Sequence, residues 1–212
     1  MSFIQNEQQK KPINYLALGD SYTICTGTNH EKEHWPNLLA AHLTQSGVPT
    51  TLVANPSRNG FSTQNLIDEE LVILDRYKVD VVTLLVGVND WVRKVDAATF
   101  HKNFNYIIDA IQNKITNKQH VILITIPDFG VTPQGKLYGS GRDISKGIEA
   151  FNAIIKSEAK KRQLVCVDLF PISKQMAGNP DLVAEDQLHP SAKEYAIWET
   201  LLFPEVKKAL QK

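Results

Sequence analysis

The chain has 212 residues, with 23 lysines and arginines against 23 aspartates and glutamates, and is 42% hydrophobic. A chain of this size buries roughly 70% of its unfolded surface, so its core needs neither a disulfide nor a structural metal. A formal net charge of zero, with no extended run of either sign, disfavours nucleic-acid binding and attachment to membranes through basic residues. In chain order, a polar stretch over residues 1–12 reads as a flexible tail ahead of a single domain over residues 13–212. Five short apolar runs come next, at residues 14–18, 51–54, 80–86, 120–126 and 164–167. Nearly continuous and rich in β-branched residues, they predict strands buried on both faces. Helices are expected to begin at Trp35-Pro36 and at Ser62-Thr63. Phe100, Phe104, Ile107, Ile108, Ile111 and Ile115 share one face of a third helix, and Ile144, Ile148, Phe151 and Ile155 mark a fourth.

Strands alternating with helices imply right-handed crossovers and a parallel sheet covered on both sides. The expected fold class is therefore α/β, a three-layer α/β/α sandwich around a five-stranded parallel sheet. The order 2-1-3-4-5 is the commonest for such a sheet, and ligands bind outside the carboxyl ends of its strands.

The residues just beyond each strand are thus the place to look for chemistry. The first strand leads into Gly19-Asp20-Ser21-Tyr22-Thr23, the second into Arg58-Asn59-Gly60 and the third into Gly87-Val88-Asn89-Asp90, while Asp186-Gln187-Leu188-His189-Pro190 precedes the last helix. A hydroxyl, an imidazole and a carboxylate at one sheet edge suit acyl transfer through a serine intermediate. Serine becomes nucleophilic when a base takes its proton, and the base needs a partner that sets its tautomer. Asp186 and His189, three residues apart, can project from one turn, leaving the far ring nitrogen for Ser21. The backbone N–H of Ser21, the N–H of Gly60 and the side-chain amide of Asn89 are the candidate oxyanion donors.

With these residues in place, the chain resembles the GDSL, or SGNH, hydrolases from about Tyr15 to about Ala196. Ser21 matches the nucleophile of the GDS block, Gly60 the glycine of the second block, Asn89 the asparagine of G-x-N-D, and Asp186 and His189 the D-x-x-H block. The resemblance implies a flavodoxin-like fold and a serine esterase or lipase-like hydrolase of small or lipid-like acyl esters, with no cofactor or metal. Thioester, lysophospholipid or acetylated-sugar hydrolysis would use the same residues. The sequence departs from the family at Cys25 and Gln187, where relatives often carry glycine. Tyr22, Trp91, Phe129 and Tyr138 are the candidate walls of a substrate pocket. Asp20 and Asp90 are expected to hold loop backbone around Ser21 and Asn89, and Asp168 to serve as a cap or loop residue.

Two motifs compete with this reading. His30-Glu31-Lys32-Glu33-His34 spells the H-E-x-x-H of zinc proteases, but charge on every side and the run into Trp35-Pro36 mark it as a solvated loop. The glycine-rich residues 130–142 lack the lysine and hydroxyl that end a phosphate loop, and read as a long mobile loop beside the site. A binding module that kept the fold without activity is the alternative outside enzymology. The N-terminus shows no apolar export signal, and no stretch approaches the roughly 18 apolar residues of a spanning helix, so a cytoplasmic protein is expected. Two distant cysteines, Cys25 and Cys166, suit reduced thiols there.

Overall fold

The computed structural model describes residues 11–211, so the expected tail over residues 1–12 lies outside it except for Lys11 and Pro12. Five strands, β1 (Ile13–Gly19), β2 (Thr50–Ala54), β3 (Val81–Leu85), β4 (Val121–Ile124) and β5 (Val165–Val167), form one parallel sheet in the order β2-β1-β3-β4-β5. The chain reverses its winding between β1 and β3, and the carboxyl ends of these two strands open the crevice that such a reversal creates. The helices are α1 (Trp35–Gln45), α2 (Thr63–Asn65), α3 (Val88–Val92), α4 (Ala97–Gln112), α5 (Ile144–Arg162), α6 (Phe170–Ser173) and α7 (Ala192–Leu210). One face of the sheet is covered by α1 packed on α7, the other by α4 packed on α5. Among the described residues, no helix is long and apolar enough to cross a membrane.

Burial on both faces holds for the three central strands but not for the edges. Every residue of β3 and β4 is buried, whereas Thr51 of β2 is exposed and its other four residues are half-buried, because an edge strand has a neighbour on one side only. The apolar stripe of α4 is fully buried, with the Phe100 ring stacked on Phe151 of α5 at a centroid distance of 4.3 Å. The helix expected from Ser62-Thr63 exists for a single α turn. Ser62 caps it by accepting from the Asn65 N–H, after which the backbone widens into a π-helical turn over Leu66–Glu70 and tightens into a 3-10 turn over Leu71–Asp75. The glycine-rich loop is more built than expected: it folds into 3-10 turns at Phe129–Val131 and Gly135–Gly139.

Gly87 sets the entry to α3. Its φ of +129° suits glycine, and a Cβ there would stand 2.7 Å from Cε2 of Phe100 and 2.8 Å from Cδ1 of Ile126. Both obstacles belong to buried core side chains. Gly87→Ala is expected to destabilise the protein by about 2–4 kcal/mol, read as a lower urea midpoint at unchanged slope.

Candidate active site

The chain leaves β1 at Gly19 and turns at once. The Asp20 carbonyl accepts the N–H groups of Thr23 at 3.0 Å and Ile24 at 3.1 Å, so residues 20–24 wind one helical turn. In such a turn the leading amides have no acceptor within the turn. The Asp20 carboxylate takes the Tyr22 N–H at 3.0 Å, and among the described residues nothing takes that of Ser21. From below, the indole of Trp35 donates to the Tyr22 carbonyl at 2.8 Å and anchors the turn.

The second loop closes with the Phe61 N–H on the Arg58 carbonyl at 3.3 Å, which places Gly60 third in a four-residue turn with φ of +80°. Its N–H also meets no acceptor among the described residues, while its carbonyl accepts from Arg93 at 2.8 Å. Two residues of α3 hold this loop: the Asn89 amide donates to the Phe61 carbonyl at 2.9 Å, and the Asp90 carboxylate accepts the Thr63 N–H at 2.8 Å and the Thr63 hydroxyl. An amide has two hydrogens. With one committed to Phe61, the other is held in a fixed direction.

Asp186 and His189 meet as their spacing suggests. The His189 Nδ1 lies 2.6 Å from one Asp186 oxygen, while the other oxygen accepts the N–H groups of Leu188 and His189, both at 2.9 Å. Partial burial pushes the Asp186 carboxyl up, but these hydrogen bonds, the His189 ring first, together hold it below the ordinary carboxylate range. Gln187, inside the turn, has φ of +58°, the left-handed backbone that glycine takes most easily. Cys25 has φ of +60°, so both departures from the family glycines fall where the chain adopts a glycine-like conformation.

Ser21, Gly60, Asn89 and His189 all face one cavity of about 220 Å³. Among the described residues no hydrogen bond joins Ser21 to His189; such contacts are often loose in enzymes without substrate. The Tyr22 ring meets the His189 ring edge-on, with centroids 5.9 Å apart. Phe129 and Tyr138, two of the sequence's candidates, line the same cavity. Trp91 does not line the cavity. Two residues beyond Asn89, it sits about 200° further round the helix and points away from the site. There it is buried against Phe129 and under the Arg142 guanidinium, which lies 3.8 Å from the ring centroid.

Sequence reasoning missed Asn59, Val88, Val92 and Leu188, which complete the cavity. The spacing of Val88 and Val92, four apart beside Asn89, was the available signal for two of them. It also missed Arg142, which donates to the carbonyls of Trp91 at 2.8 Å, Val92 at 3.3 Å and Gly139 at 3.2 Å, tying the loop that carries Tyr138 to the end of α3. Asp168 is a loop residue as expected, accepting from Thr125 at 2.8 Å and pairing with Lys156 at 2.6 Å. The H-E-x-x-H residues do not share a helical face. Glu31–Glu33 form one 3-10 turn, and His30 and His34 flank it in extended conformations. Both cysteines are free; burial pushes the Cys166 thiol up to about 11 and the Cys25 thiol well above its usual range.

The comparisons with known proteins bear on the family and the fold. The chain is 26% identical over 175 residues to an arylesterase of Vibrio mimicus, covering 82% of this chain and 78% of the relative. Its fold matches TesA with a TM-score of 0.74 at 21% identity, over 92% of this chain and 99% of the other. It matches the psychrotrophic esterase EstA of Pseudoalteromonas with a TM-score of 0.71 at 20% identity, over 94% and 99%. The model of the GDSL-like lipase/acylhydrolase family matches residues 17–197, a span that holds Ser21, Gly60, Asn89, Asp186 and His189. The chain belongs to that family, whose members are hydrolases acting on esters.

Proposed function

We propose that the protein is a serine hydrolase that cleaves esters of small acyl groups through an acyl-enzyme intermediate. The observation that carries this reading is the convergence on one cavity of Ser21, an Asp186-bound His189, two N–H groups without acceptors and a pre-aimed amide. The Asp186 carboxylate accepts the Nδ1–H of His189, which leaves Nε2 with a lone pair toward the nucleophile. His189 takes the Ser21 proton as Oγ attacks the ester carbonyl, then gives that proton to the departing alkoxide. Water, deprotonated by the same nitrogen, releases the acid and regenerates Ser21. Negative charge on the tetrahedral intermediates falls to the Ser21 and Gly60 N–H groups and the Asn89 amide.

A cavity of about 220 Å³ with Val88, Val92, Phe129 and Leu188 in its walls holds a short acyl chain or one aromatic ring, and lies below the roughly 300–1,000 Å³ of pockets that enclose larger ligands. This supports small esters over long-chain lipids. The resemblance to an arylesterase makes phenyl acetate a suitable first substrate. The reading is tested by fluorophosphonate labelling, with the modified residue located by peptide mass spectrometry. A single adduct on Ser21, absent in His189→Ala, is the expected result; folded wild-type protein that takes up no label is incompatible with it.

A further inference from the structure

Three buried carboxyls lie behind the nucleophile, and the proposed acyl transfer uses none of them. Asp20, Glu70 and Asp90 are each at most 1% exposed. Asp90 has both oxygens engaged by Thr63. Glu70 and Asp20 do not. Glu70 ends the π-helical turn Leu66–Glu70, whose extra residue brings it inward, and its Oε2 accepts the Gly19 N–H at 3.0 Å, two residues before Ser21. Its Oε1 has no partner among the described residues, and neither has Oδ2 of Asp20, whose other oxygen holds the Tyr22 N–H. The two carboxyls therefore grip the backbone on either side of Ser21, each with one buried oxygen unsatisfied. Of the groups facing them, Asp90 and Glu69 add negative charge, and the cation Arg58 is held at the surface by Glu69 at 3.3 Å.

An ionised carboxylate only accepts hydrogen bonds, and two uncompensated anions buried at one strand end repel each other. We propose that Glu70 is a positioning residue for the nucleophile turn and acts as a neutral acid, with Glu70 and Asp20 carrying at most one negative charge between them. The retained proton removes one of the two buried negative charges, and Gly19 and Tyr22 stay fixed so that the Ser21 N–H and Oγ face the cavity. The inference rests on Ser21 being the nucleophile. Burial supports it by pushing each carboxyl up to about 8, against the pull of the Tyr22 and Gly19 N–H bonds.

The test compares the wild type with Glu70→Gln and Glu70→Ala on phenyl acetate from about pH 6 to about pH 9.5, and melts each protein without substrate over the same range. Gln reproduces the neutral acid and is expected to keep kcat within about threefold at neutral pH; the wild-type kcat is expected to fall above about pH 8, and Glu70→Gln to weaken that fall or move it upward. Ala removes the Gly19 acceptor and is expected to lower kcat about 10- to 100-fold with little change in KM. A carboxyl raised in the folded state keeps its proton while the unfolded chain sheds one. Wild-type Tm is therefore expected to fall relative to Glu70→Gln up to about pH 8 and to run parallel above it. Glu70→Gln as impaired as Glu70→Ala would show that the charge is required and overturn the proposal, as would superimposable pH profiles of kcat and Tm for wild type and Glu70→Gln. An Ala variant that does not fold leaves both Gln comparisons decisive. Should Ser21 fail to label, the Tm comparison still decides the protonation of Glu70, so failure of the functional reading and failure of this inference remain distinguishable.

Discussion

Asn89→Ala is expected to lower kcat on phenyl acetate by about 100- to 1000-fold while KM stays within a few-fold, because in the proposed mechanism the amide binds charge that exists only after Ser21 attacks. The geometry separates this effect from a structural one. One amide hydrogen already serves the Phe61 carbonyl, so alanine also removes the bond that joins α3 to the Gly60 loop. That loss is worth about 1 kcal/mol, and for a protein of this size lowers Tm by about 2–4 °C. A second tie, from Asp90 to Thr63, keeps the two segments together. The variant should thus melt slightly early and turn over far more slowly. If kcat falls only tenfold with a matching rise in KM, the loss comes from a displaced Gly60 loop and Asn89 is not an oxyanion donor. Undiminished turnover removes the role altogether.

The strands were legible because buried strands need long apolar runs, and the five runs became five strands; their order is the commonest for such a sheet, and nothing in the runs themselves fixes it. Burial of the edges was not legible, since a residue such as Thr51 has the same local pattern whether or not a neighbour covers it. The first three polar blocks could be assembled because they follow β1, β2 and β3, and parallel strands bring their carboxyl ends together; the fourth, Asp186–His189, sits well beyond β5 at the entry to α7 and was joined to them by its chemistry. Glu70 carries no such signal. It meets Gly19 across 51 residues, from a π-helical turn that breaks the helical period on which sequence reading depends. Trp91 shows the opposite failure: its nearness to Asn89 in sequence suggested the pocket, and about 200° of helical rotation put it behind the wall. Gln187 and Cys25 lie between these cases. Their departure from glycine is visible in the sequence, but only the backbone shows that each sits at positive φ, a conformation costing about 1–2 kcal/mol in a side-chain-bearing residue. The Gln187 turn is held regardless, by its N–H on the Ala184 carbonyl at 2.9 Å and by the Gln134 N–H on its own carbonyl at 3.0 Å.

Asp186→Asn is expected to have the larger effect on turnover, about 1,000- to 10,000-fold in kcat at neutral pH, for a reason that lies in one proton. Asparagine can keep an oxygen toward the Leu188 and His189 N–H groups, which now meet Asp186 at 2.9 Å, so the turn itself survives. Its NH2 then faces the His189 Nδ1, where the carboxylate oxygen stands at 2.6 Å. A donor in that place makes Nδ1 the acceptor and moves the ring proton to Nε2, the nitrogen that takes the Ser21 proton in the proposed mechanism. The proposed base is then present and in place but already protonated on the side facing Ser21, and it has lost the anion that stabilises imidazolium. The effect on stability takes a different course. The Asp186 carboxyl is held below its ordinary range, so its contribution is present above the unfolded carboxylate pKa of about 4 and is lost as pH falls through the lower folded value. With Asp186 on a partly exposed turn, solvent screens that contribution, and Tm at neutral pH should move little. Near-native melting with turnover reduced at least 1,000-fold would assign Asp186 to the proton path. A loss below about tenfold would leave His189 oriented by its packing on Tyr22, and Asp186 a residue of the turn alone.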